Sequence, residues 1–236
     1  MGTEHPTGRE LKKIIATLLV REPFPASIEP VFELPGRKVV NPLFALFCSK
    51  HPLQRWRAVT AMGMVVSRLV DENMESARVV MRRFMWNLNE ESGGIGWGCP
   101  EAMGESMARS ERLADEYGCI LCSYLHPERN FIEHPALQAG VLWGIGRMVH
   151  TWPKKLVDSM EFLTPFLASP EAALRGLAAW ACGPGRADAR LTPLLETLTA
   201  DTASFQLYRG ERLEACSVGE LAAQALQRTR MSSVER

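Results

Sequence analysis

LRGLAAWACG, residues 174–183, is the stretch on which the fold turns. Small residues stand at 178, 179 and 181, and Gly183 follows at a point where a helical turn can close. The same register returns four more times. RWRAVTAMG ends at Gly63, GCPEAMG at Gly104, QAGVLWG at Gly144, and VGELAAQALQ at Gln227, where the glycine is replaced. A period close to 40 residues belongs to repeats made of one pair of helices each. The positions one, two and five before each closing residue share a face, because a residue advances by about 100° around an α-helix. Those positions hold Met62, Ala61 and Ala58; Met103, Ala102 and Cys99; Trp143, Leu142 and Ala139; Cys182, Ala181 and Ala178; and Leu226, Ala225 and Ala222. Side chains this small let neighbouring helices approach closely, so this face is expected to be the packed one.

An apolar segment with helical periodicity precedes each of these helices: NPLFALFCS, SARVVMRRFMWNLNEE, RLADEYGCILCSYL, MEFLTPFLAS and ARLTPLLETL. Pro42, Pro135 and Pro170 suit helix entrances, where a missing N–H costs little. The chain therefore divides into an N-terminal helix and capping loop over 1–40, a repeat array over 41–228 and a tail over 229–236. The units of the array are 41–70, 74–109, 111–150, 158–183 and 188–228. Within the last unit FQLYRGERLEAC alternates around Arg209-Gly210, the pattern of a short β-hairpin.

Composition argues against several classes. With 27 basic and 27 acidic side chains the formal net charge is zero, whereas a nucleic-acid binder shows a basic excess or stripe. No apolar run is long enough to span a bilayer, and the first residues lack the apolar region of an export signal, so a cytoplasmic location is expected. The six cysteines are scattered through mostly apolar segments and read as free, mostly buried thiols.

The pattern L-R-x-x-A-A-x-A-x-G at 174–183, with VGELAAQAL at 218–226, resembles the HEAT-like repeats named after phycobilisome lyases. The stretch WNLNEESGGIGWGCPEAMGE is similar to one in uncharacterised bacterial HEAT-like proteins. The resemblance covers roughly residues 41–228 and implies a right-handed α-solenoid of about five helix pairs: an all-α fold with a short β-hairpin insertion near the C-terminus. It implies little about activity, because one scaffold hosts many functions.

In such a solenoid the second helices line the concave, usual binding surface. The positions seven and three before the closing residue, and one after it, lie opposite the packed face. They are Trp97, Glu101 and Glu105 in the second repeat, Trp56, Thr60 and Met64 in the first, Val141 and Ile145 in the third, and Trp180 in the fourth. The expected groove is aromatic and apolar, with two carboxylates near its centre. It suits a protein or peptide partner carrying Lys or Arg among apolar groups. The competing expectation is that Trp97 fills core while Glu105 pairs with Arg109 one turn on. Gly93, Gly94, Gly96 and Gly98 cannot be helix interior; they form the turn that shapes the groove, and Ser92 or Gly98 leads into a helix with Pro100 in its first turn. Their amides could also nest an anion, but Glu90, Glu91 and Glu101 surround the loop and the Lys-Ser/Thr ending of a phosphate loop is missing.

Catalytic constellations are weak. Cys119 and Cys122 form one C-x-x-C with no second such pair, so no metal is expected there and these two are only weak candidates. HEAT-like di-iron hydroxylases carry His-Glu seven and six residues before the closing position. Here those places hold Trp56-Arg57, Trp97-Gly98, Leu137-Gln138, Gly176-Leu177 and Glu220-Leu221. HEAT-like DNA glycosylases pair aromatic and acidic groups in a cleft, as Trp97 and Glu101 would, but need a basic face; only Arg57 and Arg228 fall on the expected stripe. The reading is a non-catalytic binding or assembly scaffold without a cofactor. The alternative is a small-molecule or cofactor-binding lyase or chaperone by analogy with bilin lyases, and the third is a glycosylase.

Overall fold

The computed structural model describes residues 6–89, 96–153, 155, 160–183 and 190–234, the last seven for their backbone alone. Helix α1 (Gly8–Leu19) opens with a capping box: Thr7 accepts from the Glu10 amide while the Glu10 carboxylate accepts from the Thr7 amide, satisfying two donors that a helix start leaves unpaired. A 3-10 segment, Ala26–Glu33, leads into α2 (Gly36–Leu46) and α3 (Pro52–Glu72). There follow α4 (Met74–Leu88), α5 (Cys99–Arg109), α6 (Glu111–Ser123) and α7 (Pro135–Thr151). A short 3-10 turn and α8 (Thr164–Leu167) precede α9 (Ala172–Cys182), and then comes α10 (Thr192–Leu198). The antiparallel hairpin β1 (Ser204–Arg209) and β2 (Arg212–Ser217) precedes α11 (Val218–Val234).

The helices form two layers. The second members of the pairs, α3, α5, α7, α9 and α11, pack in sequence one against the next, and α2, α4, α6, α8 and α10 each pack on their own partner. The chain is thus a helical repeat solenoid with a two-stranded insertion. Of the fifteen packed-face residues, thirteen are buried and only Ala139 and Leu226 are partly open. Ala61, Ala102, Ala178 and Ala181 have no accessible surface at all.

The repeated glycines do a different job from the one their spacing suggests. Gly63, Gly104 and Gly144 lie inside α3, α5 and α7, and only Gly183 caps a helix. A β-carbon at Gly104 would stand 2.2 Å from the Cα of Gly144, and one at Gly63 would stand 2.5 Å from Cγ of Glu105. These positions are where successive helices come closest, not where the chain turns. Pro42 also departs from expectation, because α2 starts at Gly36 and encloses it.

The hairpin closes as the sequence implies. Gly210 and Glu211 both have positive φ, 56° and 67°, the two-residue turn that matches the twist of paired strands. Its location is the new finding. The hairpin lies across the layer of second helices instead of standing clear of it. The Tyr208 ring stacks on Trp56 at 5.0 Å, its hydroxyl shares a 2.9 Å hydrogen bond with Thr60, and its carbonyl accepts from Trp143 Nε1 at 2.8 Å.

Candidate functional site

Since Tyr208 and its neighbours fill the middle of the helix layer, the expected single groove becomes two cavities, one on each side of the hairpin. The larger has a volume of about 560 Å³ and lies at the starts of α3, α5, α7 and α9, roofed by Phe205 and Leu207 of β1. The smaller, about 240 Å³, lies farther along the same helices and includes Glu105, Arg109, Arg147 and Trp180. Trp143 forms part of both walls.

Local structure explains how the larger cavity is placed. Gly98 sits in the left-handed region at φ 73° as the N-cap of α5. A β-carbon there would meet the Phe47 ring at 2.7 Å, so both conformation and space demand glycine. Pro100 takes the first turn, and Glu101 follows it. Trp97, just before the helix, is partly exposed and meets His134 edge to face at 5.2 Å. Trp56, also partly exposed, is held between Tyr208 and Trp143. The structure therefore brings Trp56, Trp97, Gly98 and Glu101 to one cavity. Gly96 is buried beside Asn87 and outside it; Gly93, Gly94, Ser92, Glu90 and Glu91 lie outside the described residues.

Glu101 is the unusual group. Its carboxylate is pressed against α7 where residue 140 is glycine: a β-carbon at Gly140 would lie 2.7 Å from the carboxylate carbon and 2.8 Å from Oε2. Oε2 is buried and has no hydrogen-bond partner. Burial pushes the Glu101 carboxyl up to about 7, against smaller opposing effects from its own amide and the charge of Arg55. Arg55 lines the same cavity. A buried, unpaired carboxylate is costly, and wild-type proteins keep such groups mostly at sites of binding or chemistry.

Glu105 differs from the expected open carboxylate. It is 3% exposed, and both oxygens are taken: Arg109 Nε donates to Oε1 at 2.6 Å and Arg147 Nε to Oε2 at 2.7 Å. The pairing with Arg109 one turn on is present, and Arg147 from α7 completes a three-charge bridge between repeats. Val141 is fully buried, as is Ile145, and neither reaches a cavity. The physical reason is rotation of α7: its cavity face runs Ala136, Gly140, Trp143, Arg147 and His150. Arg147 and His150, the two basic side chains of a largely apolar helix, mark that face in the sequence. Trp180 is 5% exposed and borders the smaller cavity. Arg57 is not on an open stripe; it is buried beneath the Phe24 ring, donating to the Leu19 carbonyl and the Glu22 carboxylate. The side chain of Arg228 lies outside the described residues.

Cys119 is exposed and Cys122 buried. No cluster of three or more metal-ligating side chains occurs among the described residues, and no helix among them is long and apolar enough to cross a membrane.

No protein-family model and no curated protein matches the chain. Solved structures do. An engineered protein from a structural genomics programme aligns over 95% of this chain and 89% of its own length at 15% identity, with a TM-score of 0.59. A designed armadillo repeat protein in complex with the peptide (KR)4 aligns over 94% and 91% at 14% identity, with a TM-score of 0.55. Computationally designed armadillo repeat proteins for modular peptide recognition align over 94% and 91% at 14% identity, with a TM-score of 0.53. These similarities place the chain among helical repeat folds.

Proposed function

We propose that the chain is a non-catalytic recognition module that holds a protein segment at the starts of its second helices, beside the hairpin, with a basic side chain entering the Trp56–Trp97–Glu101 cavity. One observation carries this reading: Oε2 of Glu101 is buried and no cation among the described residues pairs with it, in a cavity that Trp56 and Trp97 also line. A cation from outside would relieve the unpaired charge and gain the attraction of an indole face. Helical repeat scaffolds of this architecture have been designed for peptide recognition, which shows what the fold can accommodate. The two indoles and Glu101 are the binding residues in this reading. Gly98 and Gly140 shape the cavity, and the three-charge bridge at Glu105 is structural. A cytoplasmic setting and the division at residues 40 and 228 belong to the same reading.

A photo-reactive residue at Ala136, exposed on the cavity rim, tests it in the cells that make the protein. The expected product is a discrete protein adduct that disappears with Glu101→Gln. An adduct insensitive to that change, or no protein adduct, overturns the reading. A small molecule retained on the purified chain would favour the ligand-carrier alternative, which the volume of the cavity, about 560 Å³, also suits.

A further inference from the structure

We infer that the outer edge of β2 is a docking strand: an extended segment of a partner protein adds to the hairpin there as a third strand, hydrogen-bonded to the main chain of Leu213 and Ala215. This takes from the proposed function only that the occupant is a protein segment. It adds the conformation in which that segment is held and the groups that hold it.

The direction of each main-chain group in the hairpin follows from its turn. Gly210 and Glu211 form a two-residue loop with positive φ at both positions, and Arg209 pairs with Arg212. In such a hairpin the residues flanking the loop exchange both hydrogen bonds, and bonded and non-bonded pairs then alternate. Arg212, Glu214 and Cys216 therefore turn their N–H and C=O groups toward β1, while Leu213, Ala215 and Ser217 turn theirs outward, as Tyr208 does on β1. Three contacts agree with this assignment. The Tyr208 carbonyl reaches out of the sheet to accept from Trp143 Nε1 at 2.8 Å. The Ser217 amide reaches out to donate to the Glu220 carboxylate at 2.8 Å. The Val218 amide, continuing the inward set, donates to the Ala203 carbonyl at 3.0 Å.

The outer edge of β2 is what this pattern leaves over. The amides and carbonyls of Leu213 and Ala215 have no hydrogen-bond partner among the described residues. Ala215 is exposed, and neither a proline nor a bulge, two devices by which sheets protect an open edge, interrupts the strand. The edge is bounded by the turn at one end. At the other, Ser217 and Glu220 satisfy each other in a capping box. Between them stand two donors and two acceptors at the spacing of an extended backbone, the groups by which a sheet edge takes up a further strand.

A second copy of the chain does not suit this edge. Two-fold antiparallel pairing with Leu213 opposite Ala215 sets the two Glu214 side chains directly opposite each other, and like charges so placed are destabilising. Pairing centred on Ala215 needs the Ser217 amide, which Glu220 holds. Pairing centred on Leu213 brings Glu211 of the turn opposite Ala215 and leaves a single bonded pair. A strand from another protein meets none of these conflicts. Residues opposite each other across a sheet share a face, so a side chain opposite Leu213 lies on the face that Leu213 shares with Tyr208. Leu213 lines the larger cavity, and Tyr208 stacks there on Trp56. Every second side chain of the added strand thus stands on the cavity side of the hairpin.

The test uses the purified full chain and the peptide Ac-Thr-Val-Lys-Val-Thr-NH2, read by NMR hydrogen exchange at the Leu213 and Ala215 amides. Those amides should exchange fast in the free chain and become protected at millimolar peptide. An analogue N-methylated at its three central residues keeps the side chains but loses the donors, and should bind about tenfold more weakly. Ala215→Pro removes the outward amide and no bond of the hairpin, since proline is tolerated where the N–H side faces solvent. It should weaken peptide binding about tenfold while the Trp143 indole N–H signal shows the hairpin still docked. Ala215→Thr, which keeps the amide, should bind as the wild type does. If Ala215→Pro undocks the hairpin, the methylated analogue decides alone. Absence of amide protection, equal binding of the methylated analogue, or full binding by a docked Ala215→Pro overturns the third strand. A protein adduct at Ala136 that persists in docked Ala215→Pro also overturns it, and leaves the proposed recognition function standing. Amide protection by the peptide with no adduct at Ala136 keeps the docking strand and removes the Glu101 cavity from recognition.

Discussion

Two glutamates one turn apart on α5 meet opposite fates. Glu105 is deep in the molecule but fully engaged by Arg109 and Arg147, so it ties three side chains across two repeats. Glu101, four residues earlier, is held against the bare backbone of Gly140, and no cation among the described residues pairs with its Oε2. Its carboxyl titrates near 7 because burial disfavours the charge. In the unfolded chain a glutamate titrates near 4.3. Between those values the folded state keeps a proton that the unfolded state has lost, so Glu101 makes the protein less stable as pH rises through that window. Glu101→Gln should match the wild type in stability below pH 4.5 and exceed it by about 1–3 kcal/mol at pH 8. Urea denaturation at the two pH values measures this. An equal or lower stability of the variant at pH 8 would mean the carboxylate is not isolated in solution.

At the scale of elements, contact between successive second helices is set by what is missing. Gly104 on α5 and Gly144 on α7 let two backbones meet where even a methyl group has no room. Here the obstacle is backbone, which cannot rotate aside as a side chain can. Gly104→Ala should therefore destabilise the protein by about 1–3 kcal/mol, although alanine favours a helix interior by ~1 kcal/mol over glycine. A melting temperature unchanged or raised in that variant would show that α5 and α7 do not approach as described. The hairpin is the other decisive element. Its strands and turn are legible in FQLYRGERLEAC, because alternation and a glycine at the turn are local properties. Its docking is not, because Tyr208 finds Thr60 and Trp56 about 150 residues earlier in the chain.

For the whole molecule, the serial stacking of second helices makes position in the array matter. Helices α5 and α7 have second-layer neighbours on both sides, whereas α11 has one on a single side. Interior repeats open only when both interfaces are lost. Amide hydrogen exchange should accordingly be slowest in α5 and α7 and faster in α10 and α11. Equal protection along the array would indicate one indivisible core instead of coupled repeats.

Periodicity is the property that the sequence settled alone. Alanines and glycines returning every 40 residues, each time with an apolar segment before them, are enough to require paired helices stacked in a row. The packed faces of α3, α5 and α9 follow from the 3.6-residue turn. Helix α7 defeats that reasoning, since a segment apolar almost all round has no unique face, and its neighbours choose the rotation that buries Val141 and turns Trp143 to the cavities. Only the tertiary structure decided that the hairpin divides the surface, that Glu105 is bridged and that Glu101 has no cation beside it among the described residues. Each of those outcomes depends on which residues from distant repeats meet, and electrostatic and aromatic contacts act over a few ångströms in space with no regard for separation along the chain.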